Sequence, residues 1–178
     1  MDLNLLRVSM TGQDILSYLP NCKIIEYNDL GEYSEITDLL KKSIDFVIIL
    51  IETIADNVGH WVCILRYGNT IESFNSYGEA PDVQKNTLIS KAKNIEFNQT
   101  ENYLTNLLVK SDFNIIYNKL QLQKYSNNST TCGRWVCARI LCLLNHNMDL
   151  KRFLEFMIDL KNKSKNKSYD EIVCMMIP

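Results

Sequence analysis

Basic charge is not in excess in this chain: 19 Lys and Arg stand against 21 Asp and Glu, a formal charge of −2. That balance argues against a general nucleic-acid binder, which would carry a basic excess or stripe. Long apolar runs are missing as well. The longest, Phe46 to Ile51, is six residues, against the ~20 needed to span a bilayer. Met1-Asp2-Leu3-Asn4-Leu5-Leu6-Arg7 lacks a basic segment followed by an apolar one, so no secretory leader is expected. The expectation is a product of the cytosol, or one made there and packaged. No Cys-x-x-Cys occurs and the two histidines lie far apart, so the cysteines do not read as a zinc site and no metal is expected. Reducing conditions argue equally against a disulfide framework. Neither an internal repeat nor a domain linker is visible.

What is present suits a globular protein. Hydrophobic residues make up 46% and charged residues 22%, ordinary values for such chains. The 178 residues fit a single domain, 1–178, long enough to bury roughly two-thirds of the unfolded surface. Thr11 reads as the cap of a helix that stops before Pro20, and Ser34–Lys42 as a second short helix. Phe46–Ile51 reads as a buried central strand. Trp61–Arg66 and Thr70–Phe74 read as two more strands, joined by the turn Tyr67-Gly68-Asn69. Asp82–Lys93 and Glu101–Lys110 have helical character and Phe113–Tyr117 is a short strand. From Cys132 onward three apolar stripes recur at helical spacing. Lys161–Lys167, alternating Lys with Asn and Ser, reads as a solvated loop. Strands set between helical ends predict an α+β domain.

Two sites carry possible chemistry. His60 stands where the loop Asp56-Asn57-Val58-Gly59 feeds a strand, placing its ring at a strand end; His146 falls in a turn between helices. Cys132 follows the polar stretch Asn127-Asn128-Ser129-Thr130-Thr131 and opens a helix. A cysteine in a first helical turn feels the positive end of the macrodipole, which favours the thiolate. The free first-turn N–H groups can also meet an oxyanion. Cys22, Cys63, Cys137, Cys142 and Cys174 sit mostly in apolar surroundings and read as structural. A group that orients His60 is expected on the following strand, where alternation puts Glu72 and Asn75 on opposite faces. Either is a candidate.

Gly59-His60-Trp61, then Phe74-Asn75-Ser76-Tyr77-Gly78, then a Gln upstream of Thr131-Cys132-Gly133 resemble the adenovirus-type maturation proteases (adenain). They are also similar to the cellular proteases that process ubiquitin-like modifiers. Within that clan the likeness runs to compact proteases of virophages and large DNA viruses, over most of the chain from Thr11-Gly12 to Ile140. The resemblance implies a central mixed sheet of about five strands with the nucleophile at the start of a buried helix. It implies a cysteine endopeptidase without cofactor: Cys132 as nucleophile, His60 as base, Asn75 as its orienting group and Gln123 as oxyanion donor. Those relatives mostly carry Asp at the Asn75 position, which keeps Glu72 open. Their Gln lies closer to the Cys, which keeps Gln121 and Asn128 open beside Gln123. The implied substrate is a viral capsid or core precursor, cut by a monomer in the host cytoplasm or viral factory, with packaging in the virion and a peptide or nucleic-acid activator as further options. Removal of a ubiquitin-like modifier is the alternative activity, and a non-catalytic binding module the third reading.

Overall fold

The computed structural model describes residues 3–126 and 129–178. Its centre is a five-stranded mixed sheet in the order β1 (Lys23–Glu26), β2 (Ile44–Ala55), β3 (Val58–Tyr67), β4 (Thr70–Phe74) and β5 (Asn114–Tyr117). The two outer pairs are parallel and the inner ones antiparallel. β2 and β3 form one long hairpin, and Tyr67 pairs Thr70 across the expected turn.

Alternation along β2 and β3 splits the core in two, because successive strand side chains point to opposite faces. Ile48, Leu50, Trp61, Cys63 and Leu65, with Phe74, meet one group of helices. These are α1 (Gly12–Tyr18), α6 (Cys132–His146), α7 (Leu150–Lys163) and α8 (Tyr169–Met176). Val47, Ile49, Ile51, Val62 and Ile64, with Ile71, meet α2 (Ile36–Leu39), α5 (Tyr103–Val109) and the 3-10 turn Asn28–Glu32. Each fully buried aliphatic side chain contributes about 1.5–3 kcal/mol.

Several local expectations are refined. Asp82–Lys93 is not one helix: α3 (Val83–Leu88) ends at Ile89, which is buried in extended geometry, and α4 (Lys91–Glu96) restarts on Ser90, whose hydroxyl caps the Lys93 N–H. Ser34–Lys42 shrinks to a single helical turn. β1 was not expected; four residues are too few to show a strand period, and its pairing with β2 makes it a strand. The lysine-rich run begins inside α7, so the loop proper starts after Lys163. Among the described residues no helix is long and apolar enough to cross a membrane.

Candidate active site

β4 stops at Phe74, opposite Cys63. Beyond that point His60, Trp61 and Val62 pair only with β2, and the vacated edge of β3 receives Asn75, the loop after it and the first turn of α6. Two glycines make this approach possible. A Cβ on Gly59 would stand 2.0 Å from the Ile51 carbonyl oxygen, and one on Gly133 would stand 2.7 Å from the Met10 Cβ and 3.3 Å from the Trp61 ring. The Trp61 ring is held by its N–H donating to the Met10 carbonyl at 2.9 Å.

His60 is buried, and its Nε2 lies 3.0 Å from Asn75 Oδ1. The Asn75 amide cannot be turned without loss. Its Nδ2 donates to Gln84 Oε1 at 3.1 Å and its Oδ1 also accepts from the Tyr77 N–H at 3.0 Å. Its backbone is clamped in both directions by Asn118. An oxygen therefore faces the imidazole, so Nε2 carries the hydrogen and Nδ1 is the basic nitrogen. Tyr77 stacks on the imidazole, with centroids 4.6 Å apart and planes at 12°, and Tyr125 stacks on Tyr77 at 4.1 Å. Burial pushes His60 down to about 4 against the lift from Asn75, so the ring is neutral at pH 7.

Glu72 takes no part. It faces α6, as alternation requires, and is fully buried in a bidentate pair with Arg139 at 2.7 and 2.6 Å, with Tyr67 donating at 2.8 Å.

Cys132 is the first residue of α6 and 8% exposed. Burial pushes its thiol up; the backbone N–H groups of Trp61, Gly133 and Cys132 itself, and the charge of Arg134, pull the other way. The Trp61 N–H belongs to the vacated strand edge, one residue from His60. Tyr77, stacked on His60, in turn feels the charge of Cys132. Cysteine and histidine thus both neighbour Tyr77, in one site at the end of the sheet. Its open side is a cleft of about 550 Å³ that runs from Cys132 and Trp61 past Met10 and Ile24 to Glu26 and Asp29. Burial, then the neighbouring carboxylates of Glu52, Asp29 and Asp56, push the Glu26 carboxyl up.

Gln123 lies beside this pocket, buried, and its amide is engaged throughout. Oε1 accepts from Ser76 at 2.7 Å; Nε2 donates to the Ser129 carbonyl at 3.0 Å and, more loosely, to the Tyr77 hydroxyl at 3.4 Å. Gln121 is exposed and donates to the Gln123 carbonyl. Asn128 lies outside the described residues. His146 ends α6, exposed, fourteen residues beyond Cys132 in the same helix. Arg134 turns inward and donates to the carbonyls of Val8 and Ile177. Sequence reasoning missed Tyr77 and Tyr125 as ring partners, Gln84 as the lock on Asn75, and Asp170. Only Tyr77, inside a motif already singled out, carried a local signal. All six cysteines are free, and no group of His, Cys, Asp and Glu among the described residues is arranged to hold a metal.

These features define an α+β protein with a Cys–His–Asn cluster at one end of a five-stranded mixed sheet. No protein-family model matches the chain. Uncharacterized protein V9 of Sputnik virophage is 36% identical over 172 residues, spanning 96% of this chain and 94% of the virophage protein. The chain belongs to the family of that virophage protein.

Proposed function

We propose that this protein is a cysteine endopeptidase that cuts viral structural precursors by acyl transfer. The observation that carries the reading is the 3.0 Å bond from His60 Nε2 to Asn75, which leaves Nδ1 as the base, on a ring stacked against the tyrosine that also neighbours Cys132. The resemblance of the His60, Asn75 and Cys132 segments to adenovirus-type maturation proteases supports the peptidase chemistry, and kinship with a virophage protein supports the viral setting.

Burial lowers the imidazole and raises the thiol, so the resting pair is neutral and His60 works as a general base. Nδ1 takes the thiol proton as Cys132 Sγ attacks the scissile carbonyl carbon. The oxyanion is met by the free first-turn amide of Cys132. Gln123 Nε2 supplies a second donor by giving up its loose bond to Tyr77. The imidazolium then protonates the leaving amine. With neutral His60 restored, Nδ1 removes a proton from the water that hydrolyses the thioester. Asn75 orients the ring throughout but brings no negative charge to the imidazolium.

The test is incubation of purified wild type and Cys132→Ala with the structural proteins of the particle, followed by mass spectrometry of new N-termini. New termini with wild type alone are the expected result; identical termini with both proteins would sink the reading.

A further inference from the structure

Four helices begin in the ordinary way. Thr11, Ser90, Asp149 and Ser168 stand at the starts of α1, α4, α7 and α8, and the side-chain oxygen of each accepts from the N–H three residues on. Such a cap quiets one of the unsatisfied amides of the first turn. α6 breaks the pattern. Thr131, a good capping residue by type, stands at its N-cap, fully buried; its backbone sits at ψ 3°, outside the extended geometry the four capped residues share, and its hydroxyl makes no cap bond.

The hydroxyl is occupied elsewhere. It donates to Asp170 Oδ1 at 2.5 Å, and the Trp135 indole N–H approaches the same oxygen at 3.4 Å. Asp170 Oδ2 accepts the backbone N–H of Lys124 at 3.0 Å, the residue after Gln123. One buried carboxylate on α8 therefore grips both the residue before Cys132 and the residue after Gln123.

We propose that Asp170 is a positioning residue for Cys132: by gripping the Thr131 hydroxyl it holds that residue out of the extended capping geometry and keeps the first turn of α6 uncapped for the sulfur and the oxyanion. A threonine hydroxyl that capped Gly133 would take one of the amides that face the sulfur. The inference rests on the peptidase reading for the oxyanion. Its effect on the thiol stands apart from any proteolysis.

The charged and titratable groups around the thiol are Arg134 on α6, Tyr77 on the loop after β4 with His60 stacked on it, and, along the cleft, Glu26 on β1 and Asp29 in the 3-10 turn. None of them bonds Thr131. Removing the Asp170 charge by itself lowers the apparent pKa of a nearby thiol, whereas releasing Thr131 to cap the helix raises it. The two accounts have opposite signs.

The experiment is the pH profile of Cys132 alkylation by iodoacetamide, followed by mass spectrometry on the intact chain. Asp170→Ala is expected to raise the apparent pKa and slow labelling at pH 7, by about tenfold per pKa unit. Thr131→Val/Asp170→Ala, which has no hydroxyl to cap the helix, is expected to return to near the wild-type profile. Thr131→Val alone, close to isosteric, is expected to leave the profile unchanged. An unchanged or lowered pKa in Asp170→Ala, or no recovery in the double variant, overturns the proposal. So does slower labelling in Thr131→Val, a measurement that stands even where Asp170→Ala does not fold. Equal precursor cleavage by wild type and Cys132→Ala speaks against the peptidase reading; the direction of the variant shifts judges this one.

Discussion

Two buried polar clusters start from β3 and are built on opposite terms: one ties it to β4 and α6, the other to Asn75 just past β4 and to α3. In the Glu72–Arg139–Tyr67 cluster every charge has its counter-charge: two guanidinium–carboxylate bonds, a phenol donor and a further bond from Arg139 to the Met148 carbonyl. In the His60–Asn75–Gln84 chain no member is charged and one ring nitrogen is left over. The first cluster is closed and binds helix to sheet. The second is open at one end, the imidazole, which stacks on Tyr77, the ring that also neighbours Cys132. Spare hydrogen-bonding capacity in a buried network is costly unless it serves something, which is why the open cluster reads as the site.

The sharpest way to break this contrast is at its open end. Cys132→Ala is expected to abolish precursor cleavage, a loss of about 10³-fold or more, while its thermal melt stays near that of the wild type. Equal cleavage by the variant would reduce the open cluster to an unexplained polar pocket.

The closed cluster is expected to respond in stability. Glu72→Ala or Arg139→Ala leaves a buried charge unpaired and is expected to cost about 3–5 kcal/mol, read from urea unfolding. Glu72→Met/Arg139→Met is expected to recover much of that loss, since a hydrophobic replacement of the whole pair is often near neutral. A small loss in the single variants would remove the distinction between the clusters.

The open cluster has its own pH signature. The unfolded chain takes up a proton near the ordinary imidazole value of 6.5, whereas folded His60 does so at about 4. The unfolded state therefore binds more protons between those values. His60's contribution is full above pH 6.5 and is lost as pH falls toward 4, by roughly 3 kcal/mol over the window. Unfolding of wild type against His60→Gln from pH 7 to 4 isolates that slope, and parallel curves would contradict the neutral, buried imidazole.

Asn75 is expected to give the smallest effect. Asn75→Ala is expected to lower cleavage by about 10–10²-fold, in line with the loss of an outer orienting contact, and to cost about 1–3 kcal/mol in unfolding because His60, Gln84 and the Tyr77 N–H lose their partner. Asn75→Asp places a charge beside the imidazole and is expected to move the acid limb of the pH–rate profile upward. A profile that does not move would detach Asn75 from His60.

How much of this was legible without coordinates varies by kind. Strand alternation separated Glu72 from Asn75 onto opposite faces, and the covering of those faces then decided their fates: Glu72 meets Arg139 on α6, Asn75 meets His60 at the sheet end. Gln123 was legible as a residue near the nucleophile, but its bonds to Ser76, Ser129 and Tyr77 were not. Side-chain amides find their partners across the fold and leave no period in the sequence. β1 escaped notice because a four-residue strand is defined by its neighbour's ladder.

By itself the sequence determined what physics settles within a few residues. The capped starts at Thr11 and Ser168, the turn after Tyr67, the β-branched run of β2 and a cysteine at the first turn of a helix all follow from local stereochemistry. Only the tertiary structure decided which side of that helix end stays open. Asp170 reaches Thr131 across 39 residues of chain, and contacts at such separations are chosen by packing of the whole core, not by any local preference.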